Sequence, residues 1–260
     1  MPLTLGLVVI LGVVAFSAAI GLVVYRVLRR RTSSDLNNAI IVVNSDGIGL
    51  AVTRRLLNEG WRVVGFSRSD LRLDHPSHTH HVVDVTRDEF SVLLREQAEK
   101  TPPDLFIYSA GIGELCDPAG MEHESHVIDV NFHSMVRAAA LIVPVMVGRG
   151  SGHFIDISSL ADEMISAEAP SYHASKAGFS SYLGGPALAL RPHGVHVTNV
   201  RFGFVDTKMA KGDIKPFMMS VEKAADHIER CVRKRPAVYT APKIAVPLVK
   251  LRKWMLRLSL

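Results

Sequence analysis

Ala39-Ile40-Ile41-Val42-Val43, followed by Asn44-Ser45-Asp46-Gly47-Ile48-Gly49, decides the fold of this chain. The first five residues are apolar and mostly β-branched, the composition of a strand buried on both faces of a parallel sheet. The next six read as a turn, and Leu50 to Asn58 carries a helical pattern with Gly60 as its stop. Glycines where a strand passes into a helix let backbone N–H groups approach a diphosphate at the helix N-terminus. Arg62-Val63-Val64-Gly65-Phe66-Ser67 then reads as a second strand, closing a β-α-β unit. The residue directly after that strand faces the adenosine ribose in such units. A carboxylate there favours a free 2′-hydroxyl, whereas an arginine accommodates a 2′-phosphate. Arg68, flanked by Ser67 and Ser69, points to NADP(H) over NAD(H).

A second constellation lies downstream. Tyr172 and Lys176 are four apart in Tyr172-His173-Ala174-Ser175-Lys176, so they share one face of a helix, and Ser159 lies thirteen residues upstream of Tyr172. A phenol with a reference pKa of about 10 exchanges protons poorly near neutrality. A fixed ammonium beside it stabilises the phenolate, and a serine hydroxyl holds a substrate oxygen. This set suits proton exchange with a carbonyl or alcohol while a nucleotide carries the hydride.

With both constellations in order, residues 38–240 resemble the classical short-chain dehydrogenase/reductase family. Further segments carry the likeness. Asp84-Val85 stands where the family's third strand ends and an Asp contacts the adenine. Tyr108-Ser109-Ala110-Gly111 looks like the family's Asn-Asn-Ala-Gly turn. Asn131 matches its helix asparagine, and Gly203-Phe204-Val205-Asp206-Thr207 is similar to its Pro-Gly-x-Val-x-Thr segment. The resemblance implies a Rossmann-type doubly wound α/β domain of about seven parallel strands. It implies catalysis by Asn131, Ser159, Tyr172 and Lys176. Tyr172 is the acid/base, and Lys176 lowers its pKa and bonds the nicotinamide ribose. Ser159 binds the substrate oxygen, and Asn131 holds a proton-relay water. Ser45, Gly47, Ile48, Gly49, Arg68, Asp84, Val85, Ser109, Ala110, Gly111, Val205 and Thr207, with Tyr172 and Lys176, are the cofactor contacts it implies. Three departures stand out: Val42-Val43 replaces the family's Thr-Gly, Phe202 its proline, and Tyr108-Ser109 its Asn-Asn. They leave open a second reading, a membrane-tethered NADP-binding interaction or sensor protein with little turnover. The extended epimerase relatives share Tyr-x-x-x-Lys, but the short tail after Lys176 leaves little room for their larger substrate domain.

The ends of the chain carry much of its net charge of +5. Leu3 to Val24 is twenty-two residues without a charge, and Arg26, Arg29, Arg30 and Arg31 follow it. At ~1.5 Å per residue this reaches ~33 Å, enough to cross a hydrocarbon core of ~30 Å. The arginines predict an uncleaved single-pass anchor over residues 1–31, with the catalytic domain in the cytosol. Ala15/Ala19 and Ser17/Gly21 offer small-residue faces for pairing two such helices into a homodimer. Residues 241–260 form a basic amphipathic tail. Leu248, Leu251, Met255 and Leu258 recur at helical spacing, with Lys250, Lys253 and Arg257 on another face and Trp254 between. That tail reads either as a helix on an anionic leaflet or as one packed on the domain with its basic side in water. Membrane adjacency accounts for the charge without nucleic acid, since no groove-reading helix or stacking motif is present. The anchor points to a lipophilic substrate.

His75, His78, His80 and His81 read as a polar loop before the third strand rather than a metal site, with no cysteine nearby. Cys116 and Cys231 lack metal-ligand or redox spacing and read as reduced thiols. Met209, Phe217, Met218 and Met219 read as an adaptable apolar lid over the substrate.

Overall fold

The computed structural model describes residues 37–210 and 215–259. The expected membrane helix and its arginine flank lie outside the described residues. Seven parallel strands form one sheet: β1 (Asn38–Val42), β2 (Arg62–Ser67), β3 (His78–Val82), β4 (Leu105–Tyr108), β5 (Gly152–Ser159), β6 (Val195–Phe202) and β7 (Val238–Ala241). Helices α1 (Gly47–Asn58), α2 (Asp88–Lys100), α3 (Glu122–Ile128), α4 (Ser134–Arg149), α5 (Pro170–Ala189), α6 (Val221–Lys234) and α7 (Ala245–Ser259) alternate with or follow the strands. The strand order is β3-β2-β1-β4-β5-β6-β7. The winding therefore reverses between β1 and β4, and ligands of such sheets bind outside the carboxyl ends of the strands there.

Alternation along β1 shows why the strand reads as apolar throughout. Ile40 and Val42 face one core with Phe66, Phe90, Phe106, Phe154 and Phe179, and Ala39 and Ile41 face the other with Leu56, Ile107, Ile155, Val200 and Ile228. Both faces are covered, so no polar residue is tolerated between Ala39 and Val42.

Two local expectations are corrected. The first helix begins at Gly47, three residues before Leu50, because Asp46 caps it: Asp46 Oδ1 accepts the Gly47 N–H at 2.7 Å. The glycines that read as turn are thus the first helical turn. The histidine run is also only partly a loop: His75 precedes the strand, but His78, His80 and His81 lie in β3 itself. It lies at the edge of the sheet, paired only with β2, and half-exposed edge residues need not be apolar. His81 stacks on Phe66 with ring centroids 5.1 Å apart, while His80 turns to Ser67 and the Ser69 carbonyl. Asp84 consequently lies two residues past the end of the strand.

Candidate active site

The turn after β1 is built mainly from backbone. Val43 has a φ of +59°, in the left-handed region. That conformation costs an L-residue ~1–2 kcal/mol, and a β-branched side chain is a poor occupant. Three contacts hold it. The Val43 N–H donates to Phe66 O at 2.6 Å, and Ser109 Oγ reaches both Val42 O at 2.5 Å and Val43 O at 3.0 Å. Ser109, at the end of β4, therefore braces the strained turn. Gly49 is obligatory beside it, since a Cβ there would lie 1.9 Å from Val43 O. Gly47 has a φ of +52°, and a Cβ on it would lie 3.3 Å from Thr207 Cγ2. The loop after β6, with Val205 and Thr207, thus closes over the turn.

A diphosphate fits here. Leu50 N–H makes the first helical bond, to Asp46 O at 3.2 Å, so the amides of Ile48 and Gly49 have no helical partner. The Asp46 carboxylate opposes an anion, but Lys208 Nζ stands 2.6 Å from its Oδ2. The bond from Lys208 and the Gly47 N–H hold that carboxyl below its ordinary range. Ser45 precedes the cap. At the adenosine end Arg68 is exposed after β2. Burial pushes the Asp84 carboxyl up, but bonds from the Thr86 N–H and hydroxyl and the charge of Arg68 outweigh it and leave it lowered. Ser67 Oγ is committed to Ser69 O at 2.8 Å, which leaves Arg68 and Ser69 facing solvent. The Val85 and Ala110 side chains pack in the core.

The second cluster sits at the carboxyl ends of β4 and β5. Ser159 closes β5, where its Oγ accepts the Ala161 N–H at 3.1 Å and acts on the Tyr172 hydroxyl, whose pKa it pulls down. Pro170 opens α5, a position where a missing N–H is harmless, and Tyr172 and Lys176 follow on its inner face. Lys176 is buried, donates to Ile157 O at 3.1 Å and lies 4.5 Å from the Phe179 ring centroid. Asn131 is buried in a π-turn, Asp129–His133, that joins α3 to α4; single π-turns of this kind recur at functional positions. Its Nδ2 donates to Ile112 O at 2.9 Å and Ser175 Oγ at 3.0 Å, and its Oδ1 accepts the Ile112 N–H at 2.8 Å. A Cβ on Gly111 would lie 3.8 Å from each of Asn131 Oδ1, Lys176 Nζ and Met209 Sδ. Gly111 is thus the point on which the asparagine and the lysine converge.

Tyr172 lies above the ordinary phenol pKa: burial pushes it up, Ser159 pulls it down, and Asp162 pushes it up again. Burial pushes the Lys176 ammonium down, while Asp156 and Asp162 push it up. The lid is corrected. Met209, Phe217 and Met218 are exposed, whereas Met219 is buried in the core, its backbone bridged to Val205.

Three ionisable groups escaped the reading of the sequence: buried Asp156 and partly buried Asp162 and Arg201. Asp156 lies in register between Tyr108 on β4 and Asn199 on β6, facing α5. Burial raises its pKa well above the carboxylate range, against the pull of Lys176. Asp162 bonds Ser180 on α5 through a short contact and pairs with Arg201 at 2.6 Å. Arg201 also meets Glu163 at 3.1 Å, and Glu163 meets Lys253 of α7 at 3.3 Å. The signal available was a single charge inside an apolar strand, as in Ile155-Asp156-Ile157 and Val200-Arg201-Phe202.

Residues 37–216 match the family model of the short chain dehydrogenases. An uncharacterized oxidoreductase of Staphylococcus saprophyticus is 29% identical over 186 residues, spanning 66% of this chain and 80% of its own. Among solved structures, a short-chain dehydrogenase of Sphingobium yanoikuyae in complex with NADPH superposes with a TM-score of 0.74 at 23% identity, covering 86% of this chain and 95% of that one. One of Burkholderia cenocepacia in complex with NADP has a TM-score of 0.73 at 21% identity, covering 83% and 92%. The glycine turn, the seven-stranded sheet and the matched residues lead to one conclusion: the chain belongs to the short-chain dehydrogenase family, as an NAD(P)-dependent oxidoreductase acting on CH–OH groups.

Proposed function

We propose that this protein is a membrane-anchored, NADP(H)-dependent enzyme that interconverts a carbonyl and an alcohol on a lipophilic substrate. The observation that carries the reading is the convergence of a buried Lys176 and a buried Asn131 on Gly111, beside the helix face and strand end that carry Tyr172 and Ser159. The nicotinamide supplies or accepts the hydride when bound. Ser159 Oγ and Tyr172 Oη hold the substrate oxygen between them. Tyr172 gives that oxygen a proton during reduction and takes one back during oxidation. A phenol raised above its ordinary pKa is protonated at neutral pH, the form needed to give that proton during reduction. Lys176 lies where it can bond the nicotinamide ribose. Asn131 has both amide hydrogens engaged and one lone pair of Oδ1 to spare, enough to hold one relay water.

Arg68 supports NADP(H) because it is exposed beside Asp84 at the ribose position. The two similar structures that hold NADP or NADPH agree with it. Ile48, Gly49, Val205 and Thr207 line the diphosphate and nicotinamide side, Asp84, Val85, Ser109 and Ala110 the adenosine side, and Gly111 lies between them beside Asn131 and Lys176. The anchor over Leu3 to Val24, with the arginines after it, places the enzyme at a bilayer with its catalytic domain in the cytosol. The test is cofactor oxidation and reduction by the detergent-solubilised full chain against a panel of lipophilic ketones and alcohols. Turnover with NADPH is expected for part of the panel. Tight NADPH binding with no turnover on any member would favour the sensor reading that Val42-Val43 raised.

A further inference from the structure

The sequence leaves the tail helix between two orientations, and the structure chooses. Val246, Val249 and Lys253 of α7 turn inward, and Lys253 is pinned to Glu163 at 3.3 Å. Glu163 is held in turn by Arg201, so the helix has a fixed rotation on the turn that follows Ser159. The consequence is the reverse of a tail packed by its apolar side. Ile244, Leu248, Leu251, Trp254 and Met255 point outward, each more than half exposed at 52–62%. At ~100° per residue, Leu248, Leu251 and Met255 fall within one narrow stripe of α7, Trp254 lies to one side of it, and Ile244 sits in the turn just before the helix. Exposed Lys243, Lys250 and Arg252 flank it. The chain from Pro242 to Leu260 contains no Asp or Glu. The side chains of residues 256–260, including Arg257 and Leu258, lie outside those described.

We infer that the outward face of α7 lies in the interface of an anionic lipid leaflet, with the stripe among the acyl chains, Trp254 at headgroup level and Lys250 and Arg252 on lipid phosphates. Charge decides between the occupants. A second copy of the chain would bring Lys250 and Arg252 toward like charges with no acid in the helix to offset them. An anionic leaflet offers the complementary charge over the whole face, and each lysine or arginine near it is worth ~1 kcal/mol. The contact is distinct from the N-terminal anchor and does not require it. It would bring the bilayer next to the segment leaving Ser159, the side from which a lipophilic substrate would arrive.

The chain has two tryptophans, Trp61 and Trp254. Full-length protein carrying Trp61→Phe, reconstituted into phosphatidylcholine vesicles with brominated acyl chains, therefore reports on Trp254 alone. The expected result is a blue shift and loss of Trp254 emission, increasing when phosphatidylserine is added and decreasing with salt. Lys250→Glu with Arg252→Glu should remove the dependence on phosphatidylserine, and Leu248→Ser with Leu251→Ser should restore emission. All four positions are exposed, so the fold is not at stake. Vesicle-bound protein with unquenched, water-like Trp254 emission would overturn the proposal while leaving the N-terminal anchor intact. Lipid-free burial of Trp254 that rises with protein concentration would overturn it in favour of a second copy.

Discussion

The two halves of the site are built from different materials. The nucleotide turn is backbone: Val43 at φ +59°, Gly47 at +52° and Gly49 against a carbonyl, with Ser109 bracing the carbonyls of Val42 and Val43. The proposed proton-transfer cluster is side chains. Asn131, Ser159, Tyr172 and Lys176 stand on regular elements, backed by buried Asp156 and by the partly buried pair Asp162–Arg201. A backbone site tolerates substitution as long as the chain still reaches the required angles, and it stores the cost as strain. A side-chain site tolerates none at the reacting groups. This is why the turn departs from its family pattern at Val42 and Val43 while the four side chains are intact.

The largest effect should come from breaking the side-chain half. Tyr172→Phe removes one hydroxyl from a partly buried ring, so folding and NADPH binding should persist. Turnover should fall ~100-fold or more, the scale of a lost acid/base group. Steady-state kinetics beside calorimetric NADPH titration reads both numbers. Near wild-type turnover would remove Tyr172 from the mechanism.

Next comes the specificity end of the backbone half. Arg68→Asp places a carboxylate where the 2′-phosphate is expected. Selectivity should move toward NAD(H) by ~1.5–3 kcal/mol, the worth of a hydrogen bond to a charged group, or roughly 10–150-fold in the ratio of dissociation constants. An unchanged ratio would mean that another residue selects the cofactor.

Asp162 sharpens the comparison, because in the proposed mechanism it acts through Tyr172 and not on the substrate. Its charge pushes Tyr172 upward. Asp162→Asn should therefore lower the pKa of Tyr172, and reduction, which needs the protonated phenol, should begin to fail at a lower pH. The profile of kcat/KM against pH measures this. Arg201 keeps Glu163 as a partner, so its charge is not left bare. A uniform loss of rate with no movement of the midpoint would make Asp162 a brace only.

The smallest effect belongs to the strained turn. Val43→Gly relieves ~1–2 kcal/mol of left-handed strain and adds ~0.5–1 kcal/mol of backbone entropy cost. The melting temperature should hold or rise slightly, and NADPH should bind more tightly as the branched side chain leaves the turn. Weaker binding would mean that Val43 is fully accommodated.

The same contrast explains what the sequence made legible. β1, the glycine turn and β2 were readable because strands covered on both faces must be apolar and the turn must be small. β3 was not, because an edge strand of histidines has no such constraint. The tetrad was readable from spacing, since Tyr172 and Lys176 share a helix face and Ser159 ends the strand before it. Their electrostatic backing was not, because Arg201 meets Asp162 across thirty-nine residues of chain, and no local pattern reports such a pair. The tail was readable as amphipathic, but its rotation rests on one ion pair, Lys253 with Glu163, ninety residues apart.

The central claim is that the side chains around Gly111 transfer a proton while a nicotinamide transfers a hydride to a carbonyl. Deuterium-labelled NADPH tests it directly, with wild-type and Tyr172→Phe full-length protein in detergent and lipophilic ketones as acceptors. Mass spectrometry of the products should find one deuterium on the carbinol carbon with the wild type, and almost none formed by Tyr172→Phe although it binds NADPH equally well. Equal label transfer by the two proteins would contradict the account.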